Sequence, residues 1–291
     1  MLTDACPKGL HGAHVWAGSA RKANSSVTLI PDACEVRLFG TRFHAVTHDQ
    51  ACEIICGWFG STDNACRVVV TPNVDHIVRM RTNPAQLAAY ESASLVVADG
   101  WPLVAVSRLL RSPLPERVAG SDLVPALLGQ WAGPRPLRVF LLGAAPGVAE
   151  IAADNIAARF PSVEVGGTYS PPLGFEQLPA ENEQIIHEVN AVRPDLVVVG
   201  FGAPKQEIWL HDYAKRLHAK VAIAAGGTID FLAGKQRRAP LWMRRVGLEW
   251  LHRLASDPRR LAGRYLVDAW VFPQLVLKEC ARRIMSKSQR S

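Results

Sequence analysis

The sequence predicts an α/β fold with a mostly parallel, Rossmann-like sheet and helices on both faces, followed by a basic helical C-terminal appendage. From Glu35 onward, short apolar runs of strand length alternate with longer segments of helical period. The runs are apolar at nearly every position, as in strands that are buried on both faces. Because βαβ crossovers are right-handed and lay helices over the sheet, this alternation indicates parallel strands covered on both sides.

The apolar runs predict five strands, at residues 67–70, 95–98, 137–142, 195–200 and 220–225. The segments between them predict helices over residues 75–92, 147–160, 179–192 and 204–218. Further helices are expected after Asp99-Gly100 and from near Leu123. Within the helix 147–160, the residues predicted to share one buried stripe are Val148, Ile151, Ala152, Ile156 and Phe160.

Charge and periodicity divide the chain into three segments, 1–34, 35–234 and 235–291. The first segment has no periodicity and is expected to be a loosely ordered extension, while the second forms the α/β core. The third carries 14 Lys and Arg against 4 Asp and Glu, whereas residues 1–234 carry 19 against 22. The positive charge of the chain therefore lies in its last segment.

Apolar and aromatic residues in this basic segment favour a membrane surface over nucleic acid. A phosphate backbone needs cations but no large apolar face, and such a face lies between Leu261 and Leu277. Basic charge beside interfacial tryptophans suits an anionic bilayer, and the tryptophans here are Trp242, Trp250 and Trp270. The longest weakly charged stretches are shorter than the roughly 20 residues of a transmembrane helix. With no secretory signal at the first residues, we expect a cytoplasmic protein, peripheral on the inner face of the cell membrane, with no nucleic-acid partner.

Four loops that follow predicted strands are expected to meet at the carboxyl edge of the sheet, where such folds bind ligands. They span residues 71–73, 99–102, 143–147 and 200–207. Backbone N–H groups in 143–147 can hold a phosphate, or the loop is an ordinary turn that needs glycine for its conformation. In 200–207, Lys205 and Gln206 can contact phosphate or sugar hydroxyls, or Lys205 is solvated at the start of a helix.

Several side chains in these loops admit both a chemical and a structural role. Asp99 suits a general base that accepts the proton of an attacking hydroxyl, and it equally suits a helix N-cap. Thr71 and Asn73 can hydrogen-bond to sugar hydroxyls, or they cap the helix that follows.

Arg117 lies just before the helix expected near Leu123. Its planar guanidinium suits a diphosphate, or it forms a surface ion pair with Glu116 or Asp122. The nine histidines show no metal-ligand spacing, and the sequence has no DxD-like metal motif and no Ser/His/Asp arrangement. We therefore expect a mechanism without a metal ion or other cofactor.

Taken in order, these motifs resemble those of the WecG/TagA/CpsF glycosyltransferases over about residues 67–255. They are TPN at 71–73, ADG at 98–100, LPERVAGSDL at 114–123 and GFGAPKQE at 200–207, with GGTIDF at 226–231, RAP at 238–240 and GLEWLHR at 247–253. The resemblance implies an inverting, metal-independent enzyme that transfers a hexose-type sugar from a UDP-sugar to a polyprenyl-diphosphate-linked saccharide. Such enzymes build surface polysaccharides or wall polymers, and relatives use N-acetylmannosamine, its uronic acid or glucose.

Carried over by position, the resemblance makes Asp99 the catalytic base and places Thr71 and Asn73 near the sugar, Arg117 at the diphosphate and Gln206 at the donor. It also implies that the basic appendage docks on the membrane and closes the active site. The arginines best placed to meet phosphates there, in catalysis or only in docking, are Arg237, Arg238, Arg244 and Arg245. The expected partners are a UDP-sugar donor, a polyprenyl-diphosphate-linked acceptor and the cytoplasmic membrane surface. A homo-oligomer is left open.

Two other functions compete with this interpretation. An NAD(P)-type oxidoreductase is suggested by the loop 143–147, although the sequence there lacks GxGxxG. A non-enzymatic protein that binds membranes or nucleic acid would account for the basic segment, but it leaves the four loops without a purpose.

Overall fold

A six-stranded parallel sheet with helices on both faces forms the protein, which confirms the predicted fold class. The structure is a computed structural model that describes residues 35–236, 239–240, 243 and 247–288. The predicted extension 1–34 lies outside the described residues. Two strands, β1 (Glu35–Leu38) and β2 (Thr41–His44), form a separate antiparallel hairpin. The strands of the sheet are β3 (Arg67–Val70), β4 (Leu95–Val96), β5 (Leu137–Gly143), β6 (Val163–Tyr169), β7 (Leu196–Gly200) and β8 (Val221–Ala224).

In space the strands of the sheet lie in the order β4-β3-β8-β7-β5-β6, and every neighbouring pair is parallel. All six carboxyl ends therefore lie at the same edge. The loops that follow them are brought together there, as the alternation of strands and helices predicts.

The helices that precede the last strand of the sheet are α1 (His48–Phe59), α2 (Val74–Met80), α3 (Pro84–Ser92), α4 (Trp101–Leu109), α5 (Gly120–Gln130), α6 (Val148–Arg159), α7 (Pro179–Val192) and α8 (Lys205–Tyr213). Those that follow it are α9 (Thr228–Leu232), α10 (Glu249–Ser256) and α11 (Pro258–Ser288). Helices α1, α5, α6 and α9 pack on one face of the sheet. Helices α2, α3, α4, α7 and α8 pack on the other, where Phe272 of α11 joins the core.

The structure differs from the predicted helices at α2, α3 and α6. The helix expected over 75–92 is two helices, because Asn83 accepts a hydrogen bond from Gln86 N at 3.0 Å and Pro84 begins a new first turn. Ile151 is 38% exposed, since the buried side of α6 is centred on Ala152 and Ile156 and leaves Ile151 on the flank.

The hairpin and β6 are strands that the apolar runs do not indicate. The sequence of β6 is VEVGGTY, in which two glycines interrupt the apolar pattern. This strand lies at the edge of the sheet, so it needs fewer apolar residues than a central strand.

The C-terminal helix α11 packs against α2 and the hairpin. Arg264 donates to Asp75 of α2 at 3.4 Å, and the ring centroids of Phe272 and Phe39 are 5.5 Å apart. Nearer its end, Arg283 donates to Leu110 O at 2.7 Å. The helix therefore lies along the core, and a separate appendage that begins at residue 235 stays a prediction. Within the described ranges, no helix combines the length and the apolar content that crossing a bilayer demands.

Asp268 is an unusual side chain in the contact between α11 and α2. It is 9% exposed, and its Oδ1 has no hydrogen-bond partner among the described residues. Burial and the nearby charge of Asp75 raise the pKa of Asp268 to about 6, although Arg264 and Arg79 act in the opposite direction. The ionised form is therefore unfavourable in the folded protein. The contribution of Asp268 to stability is largest below its unfolded pKa of about 4 and is lost as the pH rises through 6.

We expect Asp268→Asn to increase the free energy of unfolding at pH 7.5, by at most about 3 kcal/mol, because it removes a buried charge. At pH 4 the gain should largely disappear, since Asp268 is then protonated in the folded wild type. Urea denaturation at the two pH values, followed by circular dichroism, measures both effects. Asp154→Asn, at an exposed position of α6, is the matched control. A destabilised Asp268→Asn protein at pH 7.5 would contradict this account.

Candidate active site

Backbone hydrogen bonds hold the loops after β3 and β4 together at the carboxyl edge of the sheet. Asp99 N donates to Pro72 O at 2.9 Å, and Val118 N donates to Ala98 O at 2.8 Å. The second bond places Arg117 next to the end of β4. Two loops with separate sequence motifs are therefore fixed against each other by the main chain.

Asp99 lies between β4 and α4 with its side chain 22% exposed. It is not a helix cap, because Gly100 holds the N-cap position of α4 and no side chain caps that helix. Burial raises the pKa of Asp99, while the positive charges of Arg117 and Arg253 oppose the rise. A partly accessible carboxylate with a raised pKa has the properties of a general base.

The Arg117 guanidinium joins three carboxylates from different elements. Its Nη1 donates to Asp99 Oδ1 at 3.3 Å and to Glu249 Oε2 at 2.9 Å, and its Nη2 donates to Asp122 Oδ2 at 2.5 Å. Of the two ion pairs that the sequence leaves open for Arg117, the one with Asp122 is present, whereas Glu116 accepts a hydrogen bond from the backbone of α1 instead. Burial disfavours the charged guanidinium, but the three carboxylates outweigh it and raise the pKa of Arg117. Arg117 therefore stays positively charged at the edge of the sheet.

Two residues of α10 complete this cluster, and sequence reasoning gave neither of them a role. Glu249 is 12% exposed and accepts a hydrogen bond from Arg253 at 3.0 Å. The Arg253 guanidinium lies over the Phe231 ring of α9, 5.7 Å from its centroid. The signal in the sequence is the GLEWLHR run, in which Glu249 and Arg253 are spaced i, i+4 on one helix face.

Comparison with known proteins identifies the family of this chain. The sequence profile described as Glycosyl transferase WecG/TagA/CpsF family matches residues 36–286. The chain belongs to this family. N-acetylglucosaminyldiphosphoundecaprenol N-acetyl-beta-D-mannosaminyltransferase of Staphylococcus aureus (strain MRSA252) is 30% identical over 230 residues, which cover 79% of this chain and 88% of that protein. Proteins of the same name from strains MW2 and NCTC 8325 / PS 47 match with the same identity and coverage.

The protein is therefore a glycosyltransferase, which confirms the resemblance predicted from the sequence motifs. Family membership decides against both alternatives that the sequence left open, an oxidoreductase and a non-enzymatic binding protein.

Thr71 and Asn73 of the glycosyltransferase lie at the same edge, directly after β3. Asn73 caps α2, since its Oδ1 accepts a hydrogen bond from His76 N at 3.3 Å. Its amide nitrogen has no hydrogen-bond partner among the described residues. Thr71 is 8% exposed and packs closely against Gly120. A Cβ atom added at Gly120 would lie only 3.4 Å from Thr71 Oγ1. The predicted contacts of both residues with the sugar stay predictions.

Gln206 lies beneath this edge, 3% exposed, and connects two of its loops. Its Oε1 accepts hydrogen bonds from Gly202 N at 3.2 Å and from Gly226 N at 3.1 Å, while its Nε2 donates to Glu207 Oε1 at 2.9 Å. The side chain thus joins the loop after β7 to the loop after β8. Its predicted contact with the donor stays a prediction.

The loop 143–147 packs against the loop after β7. Gly143 has φ +108°, and a Cβ atom there would lie 2.8 Å from Gly200 C. Glycine is therefore required at this position for conformation and packing, as the ordinary-turn interpretation holds. A role of this loop in phosphate binding stays a prediction.

The predicted phosphate contacts of Arg237, Arg238, Arg244 and Arg245 fall on residues outside the described part of the chain, and they stay predictions. In the described part, no group of three or more His, Cys, Asp or Glu side chains is placed to hold a metal ion. A cavity of about 570 Å³ lies between α5, α6 and α9, but Asp99, Arg117 and Glu249 do not line it.

We expect Gln206→Ala to lower the free energy of unfolding by roughly 1–3 kcal/mol without any ligand, because two buried backbone N–H groups lose their acceptor. Thermal or urea unfolding of the free protein measures this loss. The matched control is Gln184→Ala, which removes an exposed glutamine of α7. If Gln206→Ala kept wild-type stability and only the donor affinity fell, the bridging role would be wrong.

Proposed function

We propose that the enzyme transfers N-acetylmannosamine from a UDP-linked donor to N-acetylglucosamine on a polyprenyl-diphosphate carrier, in the synthesis of a wall polymer or surface polysaccharide. One observation carries this proposal. The partly exposed carboxylate of Asp99 forms an ion pair with Arg117 at the carboxyl edge of the sheet, where folds of this class bind their ligands. The sugar and the acceptor are those that the names of the staphylococcal relatives print. The similarity covers most of both chains, which supports a shared reaction.

In the proposed reaction, an acceptor hydroxyl attacks the anomeric carbon of the donor sugar and transfers its proton to Asp99. The bond between the anomeric carbon and the UDP oxygen breaks, and UDP leaves with the bonding electron pair. A single displacement of this kind inverts the anomeric centre, so a β-linked product comes from an α-linked donor. The raised pKa of Asp99 favours this role, because a more basic carboxylate accepts a proton more readily.

Arg117 supplies positive charge for the leaving diphosphate. A guanidinium has five N–H donors, and three hydrogen bonds connect this one to described carboxylates. The other donors remain for a phosphate oxygen. Stabilisation of the leaving group by Arg117 is consistent with a mechanism without a metal ion, which we include in the proposal.

The C-terminal helices support a peripheral position on the membrane, where a polyprenyl-linked acceptor resides. Large apolar side chains are exposed on α11 at Leu266, Val267, Trp270, Leu277, Ile284 and Met285, and on α10 at Trp250 and Leu251. Lys and Arg are frequent in the same segment. An amphipathic surface of this kind binds anionic bilayers through apolar insertion and charge. We propose that this surface holds the enzyme beside its acceptor at the cytoplasmic face.

Asp99→Asn should lower turnover by about 10²–10⁴-fold, because the amide cannot accept the proton. The assay is UDP release from a panel of UDP-sugars, with and without N-acetylglucosaminyl-diphosphoryl-polyprenol, and UDP-N-acetylmannosamine is the expected donor. Asp122→Asn makes the same chemical change in the same cluster and should retain far more activity. Wild-type turnover in a folded Asp99→Asn protein would exclude Asp99 as the base. Release from a different donor alone would change the proposed sugar.

Replacement of Trp270, Leu277 and Ile284 by serine should weaken binding to anionic liposomes at least about tenfold, because three large apolar groups no longer insert. Flotation of the protein with vesicles of phosphatidylglycerol and phosphatidylcholine measures the binding. The matched control replaces Ile151, Leu173 and Leu178, which are exposed apolar residues outside the C-terminal helices. Equal flotation of both triple variants would rule out α11 as the membrane surface.

A further inference from the structure

Glu249 shares a hydrogen-bond donor with the proposed base, although it comes from a distant part of the chain. It lies 132 positions after Arg117, yet its Oε2 accepts a hydrogen bond from Arg117 Nη1 at 2.9 Å. The same nitrogen donates to Asp99 Oδ1 at 3.3 Å. One guanidinium nitrogen is thus shared between Asp99 and a side chain of α10.

The position of Glu249 is stabilised by two cations rather than by solvent. Its side chain is 12% exposed, and a carboxylate so poorly solvated requires charged partners. Arg117 binds one of its oxygens and Arg253 binds the other at 3.0 Å. Arg253 is itself held over the Phe231 ring of α9. The carboxylate of Glu249 therefore has a defined place in the cluster only when α10 lies on the α/β core.

The charged groups around Asp99 act in opposite directions. Burial raises the pKa of Asp99, the positive charges of Arg117 and Arg253 lower it, and the negative charges of Glu249 and Asp122 raise it again. These groups come from the loop before α5, from α5 itself and from α10. Loss of any one of them changes the electrostatic balance at Asp99 in a direction that its charge determines.

We propose that Glu249 is a positioning residue that holds Arg117 beside Asp99 and thereby sets the position and the electrostatic environment of the proposed base. In this role Glu249 acts through Arg117 and is not itself a catalytic residue. Because Asp99 must be the base for this role to matter, the inference rests on the proposed function.

The consequence for activity differs from that of an ordinary structural ion pair. A structural pair contributes to stability alone, and its removal leaves the pH dependence of a folded enzyme unchanged. Glu249 acts on the proposed base, so removal of its negative charge must shift the acidic limb of the pH profile, where turnover falls as Asp99 becomes protonated. Because Glu249 also fixes the position of Arg117, its replacement must lower the maximal turnover as well.

The test is the pH dependence of kcat for the full chain with Glu249→Gln. Loss of the negative charge should move the acidic limb to lower pH by roughly half a unit or more. The plateau of kcat should fall several-fold, because a neutral amide holds Arg117 less firmly. The donor KM should change less than kcat.

Two variants accompany this measurement. Glu249→Asp keeps the charge on a shorter side chain, so the acidic limb should stay near that of the wild type while the plateau falls. Glu279→Gln is the matched control, since Glu279 is another buried carboxylate of the C-terminal segment, held by Arg282 at 2.7 Å and Arg283 at 2.9 Å. Its acidic limb should not move.

The outcomes separate this inference from the proposed function. If Asp99→Asn retained turnover, the proposed base would be wrong and the role of Glu249 would fall with it. If Asp99→Asn were inactive while Glu249→Gln kept the wild-type limb and plateau, only the inference would be overturned. Should Glu249→Gln not fold, Glu249→Asp decides, because a wild-type plateau in that variant would also overturn the positioning role.

Discussion

The site depends on one positive charge, the Arg117 guanidinium, placed among three carboxylates from three elements. Asp99 follows β4, Asp122 belongs to α5 and Glu249 belongs to α10. Without the guanidinium, these partly buried carboxylates would repel each other, and their ionised forms would be poorly solvated. The cation therefore holds Asp99, helix α5 and the C-terminal segment in a single arrangement.

The parallel sheet makes this arrangement possible because it delivers loops from distant parts of the sequence to one edge. The main chain carries out the first part of the assembly, through the hydrogen bonds from Asp99 N to Pro72 O and from Val118 N to Ala98 O. The buried side chain of Gln206 then connects the loops after β7 and β8 through hydrogen bonds from Gly202 N and Gly226 N. The side-chain cluster is thus supported by backbone geometry, which suits a site in which atoms have to be placed within a fraction of an ångström.

Much of the fold was predictable because the central strands are buried on both faces and appear as continuous apolar runs. The bounds of α7 were predicted at both ends, whereas β6 was missed because Gly166 and Gly167 interrupt its pattern. In the site, the motifs identified Asp99 and Arg117 separately, and their contact needed the structure. The pair between Arg117 and Glu249 was not predictable, because it depends on how a segment 132 positions away docks. The burial of Gln206 likewise depends on the neighbouring loop, which the order of strands in the sheet determines.

In the proposed reaction, Asp99 faces the acceptor hydroxyl while Arg117 faces the leaving diphosphate. The most direct test is an experimental structure of the enzyme with UDP and an acceptor analogue that carries N-acetylglucosamine on a short lipid diphosphate. We expect a carboxylate oxygen of Asp99 within about 2.6–3.2 Å of one acceptor hydroxyl, and an N–H group of Arg117 in hydrogen-bonding distance of a UDP phosphate oxygen. A complex in which another group contacts that hydroxyl, with Asp99 turned away from it, would contradict the account.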